Sequence, residues 1–159
     1  MMRIETARLL IYPGSNDDMK QLIDAEQNAE LKQAYSEMLK GCMENPEHRQ
    51  WYTLWFIELK EQPYVIVGDL SFKGLNPDGM VELGYGLRDG YCGKGYMTEA
   101  VRAITQWALK QSNVSRVEAE TEPDNIASQN VLINTGYIQT GHFGHEGPRY
   151  LYKNQLMEN

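Results

Sequence analysis

The sequence predicts a mixed α/β (α+β) fold, a central and mostly antiparallel sheet flanked by helices, in a single domain over residues 1–159. Three observations carry this. Three β-rich segments follow one another between residues 51 and 88 with only turn signals separating them. A glycine-rich turn then opens into the most regular amphipathic segment of the chain, over 97–110. A short strand, a helix and a final strand pair complete the pattern, and such a succession describes helices packed on a mixed sheet. At 159 residues the chain can bury roughly two-thirds of its unfolded surface, so one core suffices.

The elements follow in order. Ile4 to Tyr12 reads as a first strand, closed by Pro13-Gly14, with Ser15 and Asp18 spaced as a capping pair for a helical region. Met19, Leu22, Ile23, Leu31, Ala34, Tyr35, Met38 and Leu39 recur at helical spacing, as one long helix or two short ones ending near Gly41. Residues 43–50 contain Asn45-Pro46 and read as a loop or a short extra turn. Trp51 to Lys60 and Tyr64 to Lys73 form a hairpin across Glu61-Gln62-Pro63, and Asn76-Pro77-Asp78-Gly79 turns the chain into a third strand, Met80 to Arg88.

After the turn Gly90-Tyr91-Cys92-Gly93-Lys94-Gly95, Met97, Ala100, Val101, Ile104, Ala108 and Leu109 repeat every 3.6 residues. Glu99 near the start and Lys110 near the end suit the helix dipole. Ser115 to Thr121 is a strand, and a helix from Pro123-Asp124-Asn125 runs to Thr135, with Gly136 placed for a left-handed C-cap. Tyr137 to His142 and Arg149 to Tyr152 pair around a turn containing Gly144 and Gly147. Trp51, Trp55 and Trp107 are expected in the core or at an interface.

Composition narrows the function. With 42% hydrophobic and 23% charged residues the chain is an ordinary globule. A net charge of -7 argues against nucleic acid and favours a cationic or amine-bearing partner. Charges at Arg3, Glu5 and Arg8 stand where a signal peptide would be apolar, and no window reaches spanning length, so a cytoplasmic location without membrane contact is expected. Cys42 and Cys92 suggest neither a disulfide nor a zinc site, and His48, His142 and His145 have no metal spacing, so no metal is expected.

A glycine cluster between strand and helix suits a phosphate group, because small residues let backbone N–H groups point inward at the positive helix end. Two common meanings fail on spacing. A P-loop would need glycine at Arg88 and a hydroxyl residue at Gly95. A dinucleotide fingerprint would need its third glycine at Thr98 or Asp89.

Leu83-Gly84-Tyr85-Gly86-Leu87 followed by Tyr91-Cys92-Gly93-Lys94-Gly95-Tyr96-Met97-Thr98-Glu99-Ala100 resembles the acetyl-CoA motif of the GNAT (GCN5-related N-acetyltransferase) family. Asn125-Ile126-Ala127-Ser128-Gln129-Asn130-Val131-Leu132, ending in Gly136-Tyr137, resembles the second family block. Glu5-Thr6-Ala7-Arg8-Leu9 resembles the opening of the branch that acetylates ribosomal-protein N-termini. The resemblance covers nearly the whole chain, with one departure: Gly90 stands where the family consensus has Gln or Arg.

The resemblance implies acetyl transfer from acetyl-CoA, as cosubstrate, to a primary amine, either a protein N-terminus or a small molecule. The alternative is a non-catalytic acyl-CoA sensor. Backbone groups of Tyr85, Gly86, Leu87 and Arg88 would pair with the pantetheine arm, while amides of Cys92, Gly93, Lys94, Gly95, Tyr96, Met97 and Thr98 would hold the pyrophosphate. Asn125 either binds the pantetheine region or caps its own helix. The tyrosine that many relatives use as general acid is replaced by Leu132. Ser128 is then a candidate proton donor to the leaving thiolate, or a hydroxyl bonded to its own helix. Glu82 is the leading candidate for general base, or else a solvated strand residue. Glu118 and Glu120 share a strand face that would line the acceptor cleft or simply face solvent. The terminal strand pair is a candidate homodimer edge.

Overall fold

The structure, a computed structural model, describes residues 2–152. One eight-stranded sheet organises them, in the order β1-β2-β3-β4-β5-β6-β8-β7. Its strands are β1 (Ile4–Glu5), β2 (Leu9–Pro13), β3 (Leu54–Leu59), β4 (Ile66–Phe72), β5 (Met80–Leu87), β6 (Arg116–Glu120), β7 (Tyr137–Phe143) and β8 (Pro148–Tyr152). All neighbours pair antiparallel except β5 and β6, which the crossover helix α3 (Tyr96–Leu109) joins in parallel. The helices are completed by α1 (Asn16–Ala25), α2 (Ala29–Glu44) and α4 (Ile126–Asn134). No described helix is long and apolar enough to cross a membrane.

The expected first strand is two. Thr6 breaks it: its N–H donates to the Leu9 carbonyl and its hydroxyl accepts from the Leu9 N–H, so the chain reverses and Ile4 pairs with Ile11. The helical region beyond it is likewise two helices, each with its own cap, Ser15 in a capping box with Asp18 and Asn28 accepting from the Leu31 N–H. Trp51 ends a short 3-10 segment, Pro46–Trp51, and β3 starts only at Leu54, because the Tyr52 and Thr53 amides still bond to the Arg49 carbonyl.

Period-two alternation sends Leu9, Ile11, Trp55, Ile57, Leu70, Phe72, Val81, Leu83, Val117, Ala119 and Tyr150 to one sheet face, where they pack on Met97, Ala100, Val101, Ile104 and Ala108 of α3 and Leu132 of α4. Trp55 and Trp51 lie 4.9 and 5.1 Å from the Trp107 ring and both are fully buried, so the tryptophans are core residues. Tyr137 and Thr105 share a buried hydroxyl hydrogen bond of 2.7 Å that ties β7 to α3. The opposite face carries Phe56, Asp69, Ser71, Lys73, Glu82, Gly84, Gly86, Glu118, Glu120 and Arg149, and α2 lies over its β4 portion. Gly136 follows α4 with φ +103°, as its place after the helix requires.

Candidate active site

β5 and β6 pair only from Met80–Arg116 to Leu83–Ala119. β5 continues to Leu87 with β4 as its partner on the other side. From Gly84 onward its edge toward β6 is therefore not paired to a strand, and an extended ligand could add there as one. The gap opens into a cleft of about 250 Å³ between β5 and the start of α4. Seven expected residues line it: Tyr85, Gly86, Leu87, Cys92, Met97, Asn125 and Ser128. Arg88, Gly93, Lys94, Gly95, Tyr96 and Thr98 do not line the cleft itself; they belong to the turn and helix start beside it.

Gly90, Gly93 and Gly95 have φ of +90°, +79° and +78°. A side chain at any of them would be strained, and the space above Gly90 and Gly93 is open. Gly95 is the N-cap of α3 with no side-chain cap, so the first helical amides have no intrahelical acceptor and no side chain to bind. An uncapped helix start beside open glycine backbone is an anion cradle.

The strand before the site braces this turn. The Arg8 guanidinium donates to Glu99 through Nε and to the Lys94 carbonyl through Nη1, both at 2.8 Å, and stacks over the Tyr96 ring at 4.5 Å. The Thr6 hydroxyl and the Arg8 N–H also donate to Glu99. Burial would raise the Glu99 carboxyl, but these hydrogen bonds outweigh it and hold the group below the usual carboxylate range.

Asn125 caps α4 by accepting from the Ser128 N–H at 3.1 Å, and it lines the cleft as well. The Ser128 hydroxyl lies 3.0 Å from the Tyr85 phenol, which also reaches the Ser128 carbonyl at 3.0 Å. Burial pushes the Tyr85 phenol up to about 12, so it is protonated at neutral pH. Leu132 is fully buried.

Glu82 is not a solvated strand residue. Lys73 Nζ holds one of its oxygens at 2.6 Å and Arg149 Nη1 the other at 3.0 Å. Arg149 also binds Glu118 at 3.1 Å and Glu120 at 2.7 Å, and Arg116 binds Glu118 from the other side at 2.9 Å. Both Glu118 and Glu120 resist burial's upward pull through these bonds and lie below the usual range. Glu120 also accepts the Glu146 N–H at 2.6 Å, which pins the β7–β8 loop, and Gly144 packs so close to that carboxylate that a side chain there would collide with it.

Sequence reasoning missed three features: the Thr6 and Arg8 brace, the Tyr85 hydroxyl beside Ser128, and Arg149 among three carboxylates. Each joins residues dozens of positions apart. Only the first left a signal, the Glu5-Thr6-Ala7-Arg8-Leu9 block.

Residues 8–138 match the family model for the acetyltransferase (GNAT) domain. The chain belongs to the GNAT acetyltransferase family. A relative named an uncharacterized N-acetyltransferase, YjdG of Bacillus subtilis (strain 168), is 41% identical over 86 residues, 53% of this GNAT chain and 50% of the relative. The chain thus spans about half the length of the curated relatives it matches. The ribosomal-protein-S5-alanine acetyltransferase of Vibrio fischeri shares the fold at TM-score 0.74 and 19% identity, over 95% of this chain and 94% of that one. A RimL ribosomal L7/L12 α-N-protein acetyltransferase in complex with coenzyme A aligns at TM-score 0.68 and 15% identity, over 94% and 97% of the two chains. These solved structures support the mostly antiparallel GNAT sheet.

Proposed function

We propose that this protein transfers an acetyl group from acetyl-CoA to a primary amine by direct attack. The observation that carries the reading is the unpaired edge of β5 from Gly84 to Leu87, which opens into a cleft bounded by the uncapped start of α3. The pantetheine arm would add to β5 as a strand, along Tyr85 to Arg88. Its pyrophosphate would sit on the amides between Cys92 and Thr98, where the anion cradle supplies donors and a positive helix end. Asn125 and Ser128 would close the other wall.

A neutral amine attacking the thioester carbonyl forms the C–N bond and an oxyanion, for which a backbone N–H of β5 is the nearest class of donor. Collapse breaks the C–S bond and leaves the electron pair on sulfur. The hydroxyl pair of Tyr85 and Ser128 is the proton source for that thiolate and fills the role left open by Leu132. Glu82, with a cation on each oxygen, acts chiefly as an anchor that positions Lys73 and Arg149 on the acceptor side.

The acceptor would enter from the opposite sheet face, past α2, where Glu37, Ser71 and Lys73 line a second hollow. The solved structures named for ribosomal proteins, one of them an α-N-protein acetyltransferase, support a peptide N-terminus as acceptor, and small amines share the same reacting group. Edge strand β7, with Ile138 and Phe143 exposed, supports a homodimer that light scattering would test.

The deciding experiment combines calorimetric titration of acetyl-CoA with thiol release over a panel of peptides, polyamines and other small amines. Acceptor-dependent thiol release, with a mass gain of one acetyl group on the amine, supports transfer. Tight acetyl-CoA binding without release for any acceptor favours the sensor reading.

A further inference from the structure

Asp69 lies in the middle of β4, one strand away from the reacting edge, and nothing in the sequence pattern distinguishes it from an ordinary outward strand residue. Its surroundings do. Its cross-strand neighbours are Phe56 on β3 and Gly86 on β5. Phe56 removes water from one side. Gly86 offers no side chain on the other, and a Cβ built there would meet nothing within 4 Å. Open space therefore lies over Gly86, the cross-strand partner of Asp69 and a residue that also lines the cleft proposed for acetyl-CoA.

In the next pair along the same face Ser71 lies opposite Gly84, where the space is narrower: a Cβ built there would meet Ser71 Oγ at 3.6 Å and Lys73 Cε at 4.0 Å. Gly84 and Gly86, on alternate positions of β5, thus place no side chain between the β5 edge and Ser71 and Asp69 of β4.

On this geometry we propose that Asp69 is the proton acceptor for the incoming amine, reached across the bare backbone of Gly86. The inference rests on the acetyl-transfer reading above. As the neutral amine forms the C–N bond, its nitrogen becomes cationic and strongly acidic, and Asp69 takes one of its protons. The C–S bond then breaks, the thiolate receives a proton from the Tyr85 and Ser128 pair, that pair is reprotonated from water, and Asp69 releases its proton to water. Two hydroxyl groups thus serve the leaving sulfur from the core face while one carboxylate serves the amine from the other.

The electrostatics agree with the geometry. Burial raises the Asp69 carboxyl to about 6 against the weaker, opposing pull of Arg88. The Tyr35 phenol of α2 is neutral there, itself raised by burial first and then by the negative charge of Asp69. Phe56 and Gly86 carry no charge, and Glu58, further along β3, is engaged by the Tyr12 hydroxyl at 2.8 Å. Among the described residues no hydrogen bond holds the Asp69 carboxylate, whereas Glu82 has a cation on each oxygen. A base that ionises just below neutrality and is not already engaged suits proton transfer at pH 7.

The test measures kcat/KM against pH for the wild type, Asp69→Asn and Glu82→Gln, with acetyl-CoA affinity by calorimetry as the control for folding. Every variant should lose activity as the acceptor amine becomes protonated, and the wild type should show a second, steepening fall through an apparent pKa of about 6. Asp69→Asn should lower kcat by roughly 100-fold or more, abolish the limb near 6 while keeping the one set by the acceptor, and leave acetyl-CoA affinity within about twofold, while Glu82→Gln keeps both limbs. Retention of wild-type rate and of the lower limb in Asp69→Asn, or loss of that limb in Glu82→Gln, overturns the inference. A second measurement needs no turnover: carbon-13 NMR titration, with the Asp69 resonance assigned by its loss in Asp69→Asn. A midpoint below pH 5 overturns the inference even if the enzyme is active. A wild type that binds acetyl-CoA and acetylates nothing instead overturns acetyl transfer itself, which separates the two failures.

Discussion

Arg8 and Glu99, 91 residues apart in sequence, are joined at two points: guanidinium Nε to one carboxylate oxygen at 2.8 Å and backbone N–H to the other at 2.9 Å. With a further bond to the Lys94 carbonyl, Arg8 fixes both the last residues of the glycine turn and the first turn of α3. The brace acts on the conformation of the cradle and leaves its amides free. Arg8→Ala should therefore cost only about 1 kcal/mol of stability, since the pair is partly exposed. It should weaken acetyl-CoA binding several-fold while kcat at saturation is little changed. Arg8→Lys should recover little, because a single ammonium cannot span both acceptors. Calorimetry with CoA and a thermal melt would check both.

The same carboxylate sets an acid limit. Glu99, Glu118 and Glu120 all have folded values below their ordinary one near 4.5. An acid whose value falls on folding contributes stability that is complete above its unfolded value and is lost as pH falls through its folded value. Denaturant midpoints should thus drop steeply below about pH 4.5. Glu99→Gln should be less stable than wild type at pH 7, with a smaller further loss on acidification. Equal pH slopes for the two proteins would refute this.

Gly93 separates conformational from steric cost. Its φ is +79° and nothing lies within 4 Å of an added Cβ, so Gly93→Ala pays only for backbone strain, about 1 kcal/mol. If the turn relaxes to relieve that strain, its amides rotate away from the position proposed for the pyrophosphate. The expected result is a folded protein with at least tenfold weaker CoA affinity, read by calorimetry alongside circular dichroism.

Tyr85→Phe tests the leaving-group side. It removes the hydroxyl that bonds Ser128 while keeping the ring in the cleft wall. We expect kcat to fall by roughly 10- to 100-fold with acetyl-CoA affinity preserved, and Ser128→Ala to have the smaller effect. Acceptors that react by the same route should all be slowed, so a peptide and a small amine compared under the same conditions would report a common step.

Much of this architecture was legible from local pattern. α3, the glycine turn and the C-cap at Gly136 depend on residues within a few positions of one another, where periodicity and positive φ leave direct marks. The division of the first strand was not, because it depends on Thr6 serving Leu9 and Glu99 at once. Nor was the state of Glu82: period-two alternation puts it on the right face but cannot reveal that Lys73 and Arg149 converge on it. Asp69 was hidden by the same alternation, which gives a buried proton acceptor and a solvated aspartate the same place in a strand.

Asp69 also carries a stability consequence that needs no substrate. Its folded value of about 6 exceeds the ordinary 3.8, so the folded state resists its ionisation. A group raised in this way contributes stability below its unfolded value and loses it as pH rises through the folded value. At pH 7 the wild type bears the full cost of a desolvated carboxylate, whereas asparagine at the same site bears none. Asp69→Asn should accordingly be more stable than the wild type at pH 7, with the advantage shrinking between about pH 6 and pH 4 and vanishing below. Urea midpoints at pH 7, 5.5 and 3.8 would follow the difference. A stabilised and catalytically impaired variant is the expected mark of a residue kept charged for chemistry at the expense of the fold. Asp69→Asn losing stability at pH 7 would instead mean that the carboxylate is solvated or paired in solution.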